Sequence, residues 1–236
     1  MADHRPNMYR DADRWVLRAS SITRCQQSLI AAATGMEPLP PPETLQVAFD
    51  EGSAGEAEVL RMFCEEGWHP KSRVTRSDGD VWAALDPATL GSYHQDGVSY
   101  PHVSLDILDD DQFTAEIPVG RGAVIRGHLD GIVQRIAVGG GGEPLEMGER
   151  AVVEAKLLGK DLFAKVVRGG LVKGFEAYAW QVSLYMAATG LPGWFVAGEK
   201  KRWAEGDPRR EGTDDHLCYD IASVYVERFD APPVPL

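Results

Sequence analysis

The chain has 236 residues, 44% hydrophobic and 25% charged, with a formal net charge of −12. These proportions exclude a collagenous, low-complexity or disulfide-framework chain and suit a globular domain that buries its own core. The three cysteines, Cys25, Cys64 and Cys218, are odd in number and form no CxxC, which points to a reducing, cytoplasmic setting.

The acidic balance argues against binding nucleic acid through a broadly basic surface. A local groove stays open, because Lys and Arg bunch at 156–168 and 200–210. No apolar run reaches the ~18 residues of a membrane span. The opening "MADHRPNMYRDADRWVLRAS" lacks the apolar region of a signal peptide, so a soluble protein with no membrane partner is expected.

In chain order, residues 11–35 read as a helix with Trp15, Ile22, Leu29 and Ile30 recurring and Gly35 as the stop. "PLPPPETL" is a stiff connector. A second helix is predicted from Leu45 to Glu66, weakened by the glycines of "EGSAGEAEVLRMF". Residues 68–111 read as loops and short strands. Their acidic "DILDDDQFTAE" lacks the glycine and acid spacing of an EF-hand.

"QFTAEIPV" and "AVIRGHLDGIVQRIAV" alternate as antiparallel strands do, and "GGGGEPLEMGE" is a flexible turn with no phosphate-loop signature. "RAVVEAKLL" is the next strand. "KGFEAYAWQVSLYMAATG" carries a helical stripe of Phe175, Tyr178, Val182, Tyr185, Met186 and Thr189, closed by Gly190. "GWFVAGEKK" and "CYDIASVYVERF" are further strands, and 231–236 is a tail. The order predicts one mixed α/β domain over 1–236, with 68–111 as an elaboration.

The segment "AVVEAKLLGK" places Glu154 and Lys156 two apart on a strand that looks buried, so both point to one face. Antiparallel pairing across the Gly-rich turn would bring Asp130, of "RGHLDGIV", beside Glu154. Two clustered carboxylates in a partly buried site call for a compensating cation, and hard oxygen ligands suit Mg²⁺ or Mn²⁺. Such an ion lowers the pKa of water and polarises a phosphoryl oxygen, and Lys156 would orient the water or offset charge building on the phosphate. On these two residues alone, a Glu–Lys ion pair at a solvent-facing strand edge explains the pattern as well.

"GHLDGIV … VVEAKLLG" resembles the Asp…(Asp/Glu)-x-Lys core of the PD-(D/E)XK nuclease superfamily. "QVSLY", Gln181 and Tyr185, is similar to the QxxxY motif of its RecB-like and phage recombination exonuclease branch. "GSAGE", ending at Glu56, resembles that branch's Gly-x-x-x-His/Glu element, and "SSITRCQQSL" is similar to its Ser-rich opening helix. The similarity spans about residues 20–225.

It implies a restriction-endonuclease-like core, a central mixed β-sheet flanked by helices. It implies Mg²⁺ or Mn²⁺ held by Glu56, Asp130, Glu154 and the backbone carbonyl of Ala155. Lys156, Gln181 and Tyr185 would complete the catalytic set. A lysine after the following strand, Lys200 or Lys201, is also implied. The activity implied is metal-dependent DNA hydrolysis, most simply exonucleolytic. An endonuclease, or a catalytically silent scaffold that binds DNA or protein, stays open.

His128, two residues before Asp130, would either contact a phosphate or pack as a strand histidine. Lys200, Lys201, Arg202 and Trp203 would either track DNA, with Trp203 stacking on a base, or form a solvated loop. The remaining histidines show no zinc spacing. An iron–sulfur cluster wants four thiolates and is not expected. Partners implied are DNA, further copies of the chain, or a recombination protein such as a single-strand-binding or annealing protein.

Overall fold

The computed structural model describes residues 8–21, 29, 33–34, 55–64, 81–84, 103–106, 112–120, 122–138, 144–214 and 217–235. Cys25, residues 45–54, most of 68–111, the turn at 139–143 and every histidine except His128 lie outside them. Among the described residues no helix is long and apolar enough to cross a membrane.

The strands are β1 Met8–Asp11, β2 Arg14–Arg18, β3 Val81–Ala84, β4 Val103–Asp106, β5 Gln112–Gly120, β6 Ala123–Leu129, β7 Gly131–Val138, β8 Pro144–Gly159, β9 Gly193–Arg202 and β10 Tyr219–Phe229. The helices are α1 over 55–64, α2 Lys160–Gly174 and α3 Glu176–Thr189. The fold is mixed α/β. Where the sequence led to one central sheet, the strands form two, ordered β1-β2-β6-β5-β4 and β10-β9-β8-β7-β3. Each contains one parallel pair, β2 with β6 and β8 with β9. Strands β6 and β7 belong to different sheets and are separated only by Asp130, so the chain changes sheets at that carboxylate.

The predicted helix over 11–35 is overturned at its start. Residues 14–18 pair on both sides, antiparallel with β1 and parallel with β6, and 19–21 form a single 3-10 turn. Backbone partners on two sides outweigh the weak helical periodicity of "RWVLR". The helix predicted at 45–66 is present where it is described, over 55–64.

Strand β8 explains how the second sheet is covered. Val152 and Leu158 join Ile132, Phe195 and Ala197 beneath α2 and α3, where Phe163, Val166, Val182 and Leu184 pack. Val153 and Ala155 join Val133 and Val196 beneath Val59 and Phe63 of α1. This alternation buries β8 from both faces, as parallel pairing to β9 favours. Each large apolar side chain buried this way contributes about 1.5–3 kcal/mol.

Helix α2 was not anticipated. Gly170, at φ 74°, breaks it into two segments, and the second starts with the Leu171 N–H donating to Glu227 Oε2 at 2.7 Å. That carboxylate comes from β10 and also accepts from the Tyr225 hydroxyl at 2.8 Å. The expected stripe of α3 is buried at Val182, Tyr185, Met186 and Thr189, but Ala179, Ser183, Leu184 and Ala188 are buried too. Gly190 closes α3 in the left-handed conformation, its N–H donating to Met186 O at 2.8 Å. The tail is docked: Val234 is buried, and its N–H donates to Ser183 Oγ at 3.0 Å.

Candidate active site

Pairing of Gly131 with Val153 in the antiparallel β7–β8 ladder sets Asp130 across from Glu154. The carboxylate is fixed there because Asp130 Oδ2 accepts from the Ala155 N–H at 2.8 Å. Glu154 and Lys156 point to the α3 side of β8, as alternation requires, and Glu56 reaches them from the first turn of the described part of α1. Gly55 allows that approach, since a Cβ there would lie 2.3 Å from Leu157 Cδ2.

The four side chains meet at one point. Lys156 Nζ lies 2.9 Å from Asp130 Oδ2, 2.9 Å from Glu154 Oε1 and 3.0 Å from Glu56 Oε1. It also donates to the Ala155 carbonyl at 2.8 Å. The Tyr178 ring closes the group from α3, its centroid 5.6 Å from Nζ.

Glu154 is 1% exposed, yet neither of its oxygens has a hydrogen-bond partner. The Lys156 ammonium, 2.9 Å from Oε1, is the counter-ion of this carboxylate. A buried carboxylate without hydrogen bonds is costly unless a cation compensates it.

Burial pushes the Glu154 carboxyl well above its ordinary range, Asp130 adds to that, and Lys156 opposes it. Burial also lifts Glu56 to about 7, against the pull of Lys156 and with the push of Asp130. For Lys156, burial works toward neutrality, but Asp130, Glu154 and Glu56 together hold the ammonium well above its usual pKa. Burial raises the hydroxyl of Tyr178 to about 12 and that of Tyr185 well above its normal value.

With three acids and one base, the group carries surplus negative charge when ionised. As the side chains stand, no set of three acids, histidines or cysteines among the described residues is arranged to hold a metal ion. The Lys156 ammonium takes the point on which the carboxylates converge. The donor set nevertheless fits a hard divalent cation: every donor is oxygen, one carboxylate is buried and without hydrogen bonds, and the Ala155 carbonyl stands beside it.

Gln181 and Tyr185 do not join this cluster. They line an adjacent cavity of about 150 Å³ with Tyr9, Arg18, Arg126 and His128. Gly127 lets the phenol in, since a Cβ there would lie 2.9 Å from Tyr185 Cε1 and 2.6 Å from Ala19 Cβ. Arg126 is held by Asp11, Glu116 and the Tyr9 hydroxyl. The sequence reading missed Arg18 and Arg126. Its only available signal was two arginines in short strands, which nothing in the sequence ties to Gln181. Tyr178, read as a core position, borders the cluster.

Lys200, Lys201 and Arg202 end β9, away from both cavity and cluster. Trp203 follows them with Arg209 lying over its ring at 4.4 Å, so one ring face is covered. Arg209 is itself paired with Asp207 and Asp220. Cys64 and Cys218 are buried, and among the described residues neither forms a disulfide.

No protein-family model, curated protein or solved structure matches this chain.

Proposed function

We propose that the chain is a metal-dependent DNA nuclease with a PD-(D/E)XK-type core, acting from strand ends. The observation that carries this reading is the convergence of Glu56, Asp130 and Glu154 on one cation position, with Glu154 buried and lacking hydrogen bonds. In this reading β7 to β10 with α3 form the nuclease core.

Glu56, Asp130, Glu154 and the Ala155 carbonyl would hold Mg²⁺ or Mn²⁺. A bound ion of this kind supplies Lewis acidity toward water and a phosphoryl oxygen. Lys156, a compact charge on a flexible stem beside these ligands, would stabilise negative charge developing on the phosphate. Tyr178 shields the ammonium from α3 and limits the water around it.

End-directed action rests on the similarity of "QVSLY" to the exonuclease branch, and the neighbouring cavity, about 150 Å³ and partly open to solvent, offers room for an anionic group beside the cluster. Arg18, His128 and the Gln181 amide are suitable donors to a phosphate there, beside the positive field of Arg126.

A second reading has its own support. Because the Lys156 ammonium already stands within 3.0 Å of all three carboxylates, the fold is compatible with a silent scaffold whose ion cluster is structural.

The deciding assay incubates linear duplex, linear single-stranded and closed circular DNA with Mg²⁺, Mn²⁺ or EDTA, beside Lys156→Ala. Metal-dependent loss of linear but not circular DNA, absent in the variant, is the expected result. Cutting of circles would make the protein an endonuclease. No cleavage of any substrate by the folded wild type would leave the scaffold.

A further inference from the structure

Outside the site, the described residues form a basic ridge where β8 runs into α2. In a chain of net charge −12, α2 carries Lys160, Lys165, Arg168 and Lys173 against one acid, Asp161. Its buried side is Phe163, Val166 and Leu171, which turns Lys160, Lys165 and Arg168 outward. Lys160 and Arg168 are eight residues apart, about 12 Å along the helix. The parallel register pairs Gly159 with Lys200, so Lys200 and Lys201 stand beside the start of the ridge. Among the described residues Lys160 and Lys165 make no ion pair.

The topology sets the start of this ridge and the arginine cavity on opposite sides of the carboxylate cluster. Strand β9 runs parallel to β8 and starts beside Val152, so α3 must travel against the direction of β8 to reach it. Following α3 from Tyr178, at the cluster, to Tyr185, at the cavity, covers about 10 Å back toward the start of β8. Following β8 from Lys156 to Lys160 covers about 13 Å the other way. The cavity, the cluster and Lys160, where the ridge starts, therefore succeed one another along one line, and from there α2 crosses toward β10, where Leu171 meets Glu227 at the level of Glu154.

We infer that this ridge is the track for the DNA backbone on the far side of the scissile bond from the cavity. This rests on the nuclease reading for the site it serves. Phosphates lying along Lys160, Lys165 and Arg168 would hold the uncut duplex while its end occupies the cavity. Carboxyl ends of parallel strands are where open α/β sheets present their ligands, and a local cation row explains how an acidic protein grips a polyanion.

The test is equilibrium binding of a duplex oligonucleotide in Ca²⁺, measured across a salt series. It compares the wild type with a Lys160→Gln/Lys165→Gln/Arg168→Gln variant. Arg228→Gln serves as control, because Arg228 is already paired with Glu149 and Asp230 on another strand. Loss of three phosphate contacts should weaken binding on the order of tenfold or more at 0.1 M salt and flatten the log–log salt slope by about 2–3. The control should keep the wild-type slope, and Mn²⁺ affinity should be the same in all three proteins. A triple variant with the wild-type slope overturns the ridge even if the protein cleaves DNA. A flattened slope in a protein that never cleaves keeps the ridge and removes the nuclease reading. Wild-type protein that binds no duplex removes the ridge as well.

Discussion

Two clusters of acids and bases sit in the two sheets, and they are built on opposite terms. In the first sheet Arg126 donates to Asp11 at 2.7 Å, to Glu116 at 2.5 Å and to the Tyr9 hydroxyl at 2.9 Å. Arg14 adds a second cation, 2.8 Å from Glu116. Two bases meet two acids, with directed hydrogen bonds, in a partly exposed setting. In the second sheet one ammonium faces three carboxylates, and the most buried of these has no hydrogen bond. The first cluster is what a stabilising ion network looks like. The second gathers three acids around one base in a place that burial makes expensive for negative charge, and in the proposed nuclease that is a group kept for chemistry.

The contrast is broken most sharply by activity. Replacing Lys156 with Ala should cut DNA hydrolysis by on the order of 10²–10³-fold with the fold retained, read by cleavage rate alongside circular dichroism. Replacing Arg14 of the balanced cluster should leave the rate within a few-fold. A Lys156→Ala protein as active as wild type would dissolve the distinction.

Stability should move in opposite directions at the two sites. Glu116→Gln takes the charge from two arginine contacts and should lower unfolding free energy by about 1.5–3 kcal/mol in denaturant titration. Gly127→Ala would press a methyl group against Tyr185 and Ala19 and should cost about 1–3 kcal/mol. It should also reduce cleavage, because Tyr185 borders the cavity. The smallest shift is the one of unusual sign: Glu154→Gln removes a carboxyl whose charged form burial and Asp130 disfavour more than Lys156 supports it, and should raise stability in EDTA by up to about 1 kcal/mol while ending activity. A loss of stability there comparable with Glu116→Gln would mean that the second cluster is structural after all.

The central geometry was legible because it depends on local periodicity. Alternation alone put Glu154 and Lys156 on one face, and antiparallel pairing of β7 with β8 set Asp130 opposite Glu154. Helix α3 was legible in its stripe and its Gly190 cap. What failed depended on distant partners. Residues 14–18 are extended because β1 and β6 pair with them, and "RWVLR" names neither. Helix α2 was hidden by "RGG", since Gly169 and Gly170 look like an ending until Glu227 of β10 starts the helix again. The change of sheets at Asp130 leaves no sign in "GHLDGIV". The cavity joins residues from β1, β2, β6 and α3, and only its Gln181 and Tyr185 side, with His128, carried a recognisable motif.

The measurement that bears most directly on the surplus-charge cluster is Mn²⁺ titration by calorimetry, on the wild type and on Asp130→Asn, both shown to be folded. Saturable binding by the wild type, lost in the variant, is what a cation site among Glu56, Asp130 and Glu154 requires. A folded wild-type protein that takes up no Mn²⁺ would contradict it, and Lys156 would then be the permanent counter-ion of a structural cluster.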